Sequence, residues 1–249
     1  MNQQHLLLDI EGTTCPVSFV SDVLFPFAKQ KLSSYIKDHW NEHTHNRTIQ
    51  EATEEWSADD SIESMQLKNQ VAERQTDEVE GLIQYLKHLI AIDKKSTALK
   101  DLQGKIWEHG YRDGNLQSQL FPEAAECLHQ WNKEGLTLSV YSSGSIQAQK
   151  LLYRHSPAGD LEGLFSHWFD TRTGPKKSVE SYKAIAQKLN CSPNNIWFVS
   201  DNGAECDAAR AAGMHTLFSL RDGNPDRDPR GHKVIESLRD VGGFLTRKK

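Results

Sequence analysis

Short apolar segments alternate with amphipathic helical segments along most of this chain, and several apolar segments end in polar residues. The apolar runs predict strands at 5–10, 136–141, 195–200 and 215–220. Helical periodicity predicts helices at 123–133, 147–155, 179–189 and 205–212. Strands that alternate with helices form a parallel sheet covered on both faces. The sequence therefore predicts an α/β protein with a doubly wound, mostly parallel sheet.

A long region with almost no strand signal separates the first predicted strand from the second. Residues 18–118 contain several helical runs, and Pro26 interrupts the first of these, at 20–40. Because proline lacks a backbone N–H and clashes with the preceding turn, we expect it to kink or restart that helix. We therefore predict a core of residues 1–17 and 119–249, with an all-helical cap, residues 18–118, inserted after the first strand.

Charge and cysteine content argue against several classes of protein. The chain has 29 Lys and Arg against 34 Asp and Glu, which gives a net charge of −5. It therefore lacks the net positive charge typical of proteins that bind nucleic acid or anionic membranes. No apolar run approaches the roughly 20 residues of a membrane span, and the N-terminus lacks a signal peptide's basic region. The four cysteines form no CxxC pair. We expect reduced thiols in a cytoplasmic monomer.

Three of the predicted strands end in side chains that can do chemistry. An acidic pair follows the first strand, a serine pair the second and another acidic pair the third: Asp9 and Glu11, Ser142 and Ser143, and Asp201 and Glu205. Each segment alone is also typical of an ordinary turn or helix cap. Ligands of doubly wound sheets bind at the carboxyl ends of the strands, so these side chains should share one crevice. Carboxylates facing hydroxyls suit Mg²⁺ together with an anion, and a carboxylate can also attack phosphorus.

Four segments resemble the motifs of the haloacid dehalogenase superfamily: LLLDIEGTT (6–14), YSSGS (141–145), TGPKK (173–177) and SDNGAECDAA (200–209). Longer segments resemble the enolase-phosphatase family of the methionine salvage pathway: FVSDVLFPFA (19–28), SSGSIQAQKLL (142–152), FDTRTGPKKSVESY (169–182) and the AGMHT–RDGN stretch (212–224). In that family DIEGTT replaces the more usual DxDGT. The resemblance spans nearly the whole chain, including the predicted cap.

The resemblance implies an enzyme with one Mg²⁺ per subunit. Its substrate would be a small phosphorylated diketone, 2,3-diketo-5-methylthiopentyl-1-phosphate, and its products the acireductone 1,2-dihydroxy-3-keto-5-methylthiopentene and phosphate. Asp9 is implied as the nucleophile, with Glu11 in the position of the superfamily's acid/base residue. Asp9, Glu11 and Asp201 are implied as metal ligands. The base that would enolise the diketone is not identified.

The resemblance also assigns the groups that bind the phosphate. Ser142 and Ser143 would bind the phosphoryl group and substrate oxygens. A lysine would neutralise the phosphate, and the family's spacing from this lysine to the following Ser-Tyr pair implies Lys176 rather than its neighbour. Glu205 would stand behind the metal ligands, although Asp207 could serve as this second acid.

Three other functions stay open. The segment 39–43 fits HxxEH, the pattern of inverted zinc proteases, and His45 adds a third imidazole. However, this segment lies in the predicted cap and has no evident downstream ligand helix. The same core could instead hydrolyse another small phosphate ester, because the cap selects the substrate in such enzymes. A binding protein that kept the fold without turnover is the third alternative.

Overall fold

The computed structural model divides the chain into two compact units. The core unit comprises residues 1–21 and 117–249, and the inserted unit comprises residues 22–116. The cap predicted from the sequence was 18–118. The structure describes residues 4–42, 46–92 and 94–245.

The core unit contains a six-stranded sheet in the order β3-β2-β1-β4-β5-β6. The strands are β1 (His5–Leu8), β2 (Thr137–Tyr141), β3 (Phe165–Phe169), β4 (Ile196–Ser200), β5 (His215–Ser219) and β6 (Lys233–Ile235). Every pair of neighbouring strands in the described residues is parallel. The predicted α/β class with a doubly wound sheet is therefore confirmed.

Two of these strands, β3 and β6, are absent from the sequence-based prediction, and both lie at the edges of the sheet. In β3 only the first and last side chains are buried, and β6 is three residues long with two exposed side chains. An edge strand needs no continuous apolar run, because it is covered by fewer neighbours. The four central strands are more apolar, which explains why their sequences reveal them.

Five α-helices belong to the described part of the core unit. They are α1 (Val17–Phe19), α7 (Ala124–Lys133), α8 (Ile146–Arg154), α9 (Val179–Lys188) and α10 (Gly203–Ala211). Polar caps start two of them directly after a strand. The Ser145 side chain accepts a hydrogen bond from the Ala148 N–H of α8, and the Asn202 side chain accepts from the Ala204 and Glu205 N–H groups of α10. Each of these helices therefore begins at the carboxyl edge of the sheet.

Strand order and register together define where that edge can bind a ligand. The central strand β1 has β2 on one side and β4 on the other, so the chain changes direction across the sheet at this point. Leu8, the last residue of β1, lies opposite Val140 and Val199. The side chains that follow these strands consequently emerge at one level. Such a switch point is the usual ligand site of a doubly wound sheet.

The inserted unit contains only helices as regular structure within its described residues. They are α2 (Phe25–His39), α3 (Arg47–Ala58), α4 (Ile62–Ala72), α5 (Glu78–Ala91) and α6 (Thr97–Arg112). A π-helical turn, Val20–Leu24, precedes α2, and Pro26 lies in the first turn of α2. The structure confirms that the helix restarts at this proline. In the described ranges, no helix is both long and apolar enough to cross a membrane.

A buried ion pair joins three distant segments of the core unit. Arg221, after β5, donates a 2.7 Å hydrogen bond to Glu123, which precedes α7, and both side chains are at most 8% exposed. The same carboxylate oxygen accepts hydrogen bonds from the Ser237 hydroxyl and the Leu238 N–H, and the Arg221 guanidinium lies over the Phe121 ring. Removing one partner of such a pair leaves a buried charge without compensation.

We expect Arg221→Met to lower the free energy of unfolding by about 3–5 kcal/mol, because Glu123 would stay buried without its cation. Chemical denaturation measures this change. Arg239→Met is the matched control, since Arg239 pairs with Glu126 while both side chains are largely exposed, and its stability should hardly change. Equal losses in the two variants would contradict a special role for the buried pair.

Candidate active site

A cavity of about 180 Å³ lies at the carboxyl edge of the sheet, within the core unit. It is lined by all seven residues selected from the sequence: Asp9, Glu11, Ser142, Ser143, Lys176, Asp201 and Glu205. Val17, Asn202, Pro225 and Asp226 complete the lining. Residues far apart in the chain thus meet in one pocket, at the switch point of the sheet.

Hydrogen bonds hold both carboxylate oxygens of Asp9. Oδ1 accepts from the Ile10 N–H at 2.8 Å. Oδ2 lies 2.9 Å from the Ser200 hydroxyl and 2.7 Å from Nζ of Lys176. The side chain is 5% exposed, so the carboxylate is held in a single orientation beneath the pocket.

Lys176 is the cation of the pocket. Its Nζ lies 2.7 Å from Oδ2 of Asp9 and 2.7 Å from Oε2 of Glu205, and the side chain is 8% exposed. Burial disfavours the ammonium, but attraction to these two carboxylates outweighs it and raises the pKa of Lys176. The neighbouring Lys177 is exposed to solvent, so the structure brings only the first lysine of the TGPKK segment into the cavity.

Three hydroxyl groups hold the backbone that carries Lys176. The Tyr141, Ser181 and Tyr182 hydroxyls donate to the successive carbonyls of residues 174, 175 and 176, at 2.7–2.8 Å. Gly174 has a φ of +143°, and a Cβ there would lie 2.3 Å from the Ser181 Oγ. Glycine is therefore required for this turn. The Ser-Tyr pair after the lysine thus has a geometric role in presenting it.

The negative charges of the other acidic side chains are only partly compensated by Lys176. Burial and the nearby charge of Asp9 raise the pKa of Asp201 to about 7, and the same two causes raise the pKa values of Glu11 and Glu205. Lys176 acts against each of these shifts without cancelling it. The five carboxylates that line the cavity, with Asp226 included, outnumber its one ammonium, and this excess of negative charge favours the binding of a cation.

The turn after β1 lets Asp201 approach closely. Gly12 has a φ of +67°, and a Cβ at this position would lie 2.2 Å from Oδ2 of Asp201. The Gly12 carbonyl accepts hydrogen bonds from the Ser219 hydroxyl and the Asn224 side-chain amide, at 2.9 and 3.0 Å. Any side chain at residue 12 would displace the carboxylate, so the glycine of DIEGTT shapes the pocket.

The carboxylate oxygens of Asp9, Glu11 and Asp201 are donors of the hard type that Mg²⁺ prefers. Among the described residues, no group of three or more His, Cys, Asp or Glu side chains is arranged so that it could hold a metal ion. Mg²⁺ does not need such a group, since it is usually held by one or two carboxylates and keeps waters or phosphate oxygens as its other ligands. The donor set and the excess negative charge of the pocket fit this ion.

The serine turn after β2 lies across the cavity. Ser142 is buried, its N–H donates to the Phe169 carbonyl at 3.2 Å, and its hydroxyl accepts from the Gly144 N–H at 3.3 Å. Ser143 is exposed and faces the cavity as part of its lining. The turn leads directly into the N-terminus of α8, where backbone N–H groups favour an anion.

Glu205 and Asp207 lie in different surroundings. Glu205 borders the cavity, and its Oε2 is 2.9 Å from the Ser200 hydroxyl. Asp207 instead accepts hydrogen bonds from Arg210, Arg230 and His232. Its cations belong to α10 and to the segment after β5, so Asp207 is engaged outside the pocket.

The HxxEH segment of the inserted unit is described only in part. His43 and His45 lie outside the described residues. The helix α2 ends at His39, and Trp40–Glu42 forms a 3₁₀ turn. The predicted spacing of His39 and His43 on one helical face therefore lies outside the described residues. The Nδ1 atom of His39 lies 2.8 Å from the Tyr35 carbonyl oxygen.

Sequence reasoning missed several residues that complete the pocket. Ser200 lies 2.9 Å from both Asp9 and Glu205, and Asn224 holds the Gly12 carbonyl. Asp226 accepts a 2.9 Å hydrogen bond from the Gly203 N–H at the start of α10. Asn224 belongs to the RDGN stretch that carries the family resemblance, which was a usable signal. The sequence around Asp226 has no such pattern.

Comparisons with known proteins place this geometry in a family. The model of the haloacid dehalogenase-like hydrolases matches residues 4–213. The enolase-phosphatase E1 of Synechococcus sp. (strain CC9605) is 71% identical over 98% of each chain. The enolase-phosphatase E1 of Parasynechococcus marenigrum (strain WH8102) is 58% identical over 98% of this chain and 100% of that protein.

The fold is found in a solved structure as well. The crystal structure of the UTR4 protein from Saccharomyces cerevisiae has a TM-score of 0.73 and 31% sequence identity, and the match covers 95% of this chain and 98% of that one. Sequence and fold therefore agree over nearly the full length of both units. This chain belongs to the enolase-phosphatase E1 family of haloacid dehalogenase-like hydrolases.

Proposed function

We propose that this protein is a Mg²⁺-dependent enolase-phosphatase of methionine salvage. It converts 2,3-diketo-5-methylthiopentyl-1-phosphate to the acireductone 1,2-dihydroxy-3-keto-5-methylthiopentene and phosphate. The name shared by its full-length relatives supports this activity. The observation that carries the proposal is the arrangement of Asp9, held at both oxygens in a cavity that also contains Lys176 and four further carboxylates.

In the proposed phosphatase step, an Asp9 oxygen forms a bond to phosphorus while the bond from phosphorus to the ester oxygen breaks. The leaving oxygen takes a proton. We propose that Glu11 donates it, because burial and the nearby charge of Asp9 raise the pKa of the Glu11 carboxyl group. Water then cleaves the aspartyl phosphate, and Glu11 accepts the proton of that water. Splitting one displacement into two is the usual gain of a covalent intermediate.

The remaining residues position groups and balance charge. Lys176 lies within 2.7 Å of Asp9 and would neutralise phosphoryl oxygens as they approach. Ser142 and Ser143 would bind the phosphoryl group from the α8 side of the cavity. Asp9, Glu11 and Asp201 would hold one Mg²⁺, with Glu205 behind them. When bound, the ion supplies positive charge that screens the repulsion between an anionic nucleophile and an anionic substrate.

The two units have different proposed tasks. The core unit carries the whole phosphoryl-transfer site, and we propose that the inserted unit selects the substrate and holds its methylthio tail. The same core chemistry would serve another small phosphate ester, so the substrate itself is tested first. Monomeric state and cytoplasmic location remain predictions from the sequence.

Purified protein should release phosphate from the diketo phosphate and form acireductone only when Mg²⁺ is present. The absorbance of the acireductone measures its formation. Phosphate release from simple esters without acireductone from this substrate would assign the protein to a different phosphatase activity. No turnover of any phosphate ester would support the binding-protein alternative.

Asp9→Asn should lower phosphate release by about a thousandfold or more, because the amide cannot act as the nucleophile. Asp160→Asn is the matched control, since the Asp160 side chain is exposed and accepts a local hydrogen bond from the Glu162 N–H. Steady-state kinetics measures both variants. Retained phosphatase activity in Asp9→Asn would exclude the aspartyl-phosphate route.

Glu205→Gln should raise the Mg²⁺ concentration needed for half-maximal activity, because it removes a negative charge beside Lys176 and Asp9. Asp207→Asn should leave that requirement unchanged, since Asp207 pairs with Arg210 and His232 outside the cavity. Mg²⁺ titrations of the two variants provide the comparison. The reverse ranking would reassign the second acid to Asp207.

A further inference from the structure

Gln149 is a buried amide that binds the backbone of the serine turn. It lies in α8 and is 2% exposed. Its Nε2 donates to the Gly144 carbonyl at 2.8 Å and to the Phe169 carbonyl at 2.9 Å, and the Ser142 carbonyl lies at 3.5 Å. One amide group therefore holds the turn after β2 against the end of β3.

The oxygen atom of the same amide, Oε1, is buried as well. Among the described residues, Oε1 of Gln149 is a buried acceptor without a hydrogen-bond partner. Such an atom costs stability, because its hydration is lost and not replaced. The carbonyls around Nε2 can only accept, so rotating the amide would leave them facing another acceptor. An apolar residue would avoid the cost, which suggests that the amide contributes something besides stability.

The orientation of the peptide planes indicates what that contribution is. In a trans peptide the C=O and the following N–H point in opposite directions, and every described peptide bond is trans. Because Gln149 draws the carbonyls of residues 142 and 144 toward the buried side of α8, the N–H groups of Ser143 and Ser145 are directed away from it. Ser142 and Ser143 line the cavity, whereas Gln149 does not.

We propose that Gln149 is a positioning residue, which orients the turn 142–145 so that the backbone N–H groups of Ser143 and Ser145 face the phosphoryl group. This inference rests on the proposed function, because it assigns the turn to phosphate binding. Backbone donors stabilise a transferring phosphoryl group only when they are held in place before it arrives. Nε2 supplies that restraint without touching the substrate.

The chain offers a matched control at the other end of α8. The Ser118 hydroxyl is buried and lies 2.6 Å from the carbonyls of Leu152 and His155. Like Gln149, it satisfies backbone carbonyls of this region from a side chain. Neither side chain lines the cavity, but Gln149 binds the turn that does, and Ser118 binds carbonyls at the far end of α8. Ser118→Ala thus removes a buried hydrogen bond from a side chain to the backbone, at a distance from the serine turn.

The test compares Gln149→Met with Ser118→Ala, using inorganic phosphate in the presence of Mg²⁺ as the probe. Calorimetry measures its affinity directly, kinetics gives kcat and KM, and thermal melting reports stability. Both variants should melt at lower temperature than the parent. Only Gln149→Met should weaken phosphate binding and lower kcat/KM, by about ten- to a hundredfold, less than the effect of deleting an anion-hole donor outright.

Unchanged phosphate affinity in a folded Gln149→Met variant would overturn the inference and leave Gln149 as a purely structural residue. Equal weakening by Ser118→Ala would overturn it as well. If Gln149→Met does not fold, Gln149→Asn keeps the amide but shortens its reach, and its unchanged phosphate affinity would have the same meaning.

The two proposals can fail separately. Phosphate binding requires no turnover, so a parent that binds phosphate but cleaves no phosphate ester would refute the proposed function alone. In that case a loss of phosphate affinity in Gln149→Met would still support the role of Gln149. Normal turnover by the parent, with phosphate affinity unaffected by Gln149→Met, would refute only the inference about Gln149.

Discussion

The geometry of this pocket depends on the ion pairs that the buried ammonium of Lys176 forms. Its Nζ lies 2.7 Å from Asp9 and 2.7 Å from Glu205, and it partly compensates for the five carboxylates of the cavity, which would otherwise repel one another. Burying a charge is costly unless it is paired and hydrogen-bonded. Lys176 meets that condition through Asp9, Glu205 and the ring of Tyr141. The negative charge that remains is what makes a divalent cation a suitable partner.

The fold fixes the positions of these charges, because side chains donate hydrogen bonds to the backbone of loops at the sheet edge. Hydroxyls of Tyr141, Ser181 and Tyr182 bind the lysine loop, and Asn224 binds the turn that contains Gly12. All of these bonds end on backbone carbonyls. Held in this way, a loop loses little further conformational freedom when a ligand arrives, which is the physical basis of pre-organised sites.

Much of this arrangement could be predicted from particular residues. The apolar runs of β1, β2, β4 and β5 were evident, and each polar residue chosen at a strand end reaches the cavity. The strands β3 and β6 were missed because exposed side chains interrupt their apolar pattern. The environments of Glu205 and Asp207 could not be separated beforehand, since both are acids close together on α10 and only their neighbours in space differ.

The sequence by itself determined the fold class and the residues that can carry the chemistry, because hydrophobic periodicity and local motifs are properties of neighbouring residues in the chain. Only the tertiary structure decided how those residues are paired and supported. Ser200 between Asp9 and Glu205, the three hydroxyls around the lysine loop and the amide of Gln149 all join residues through space. Hydrogen bonds act over about 3 Å. They therefore depend on strand register and helix packing, which no local pattern specifies.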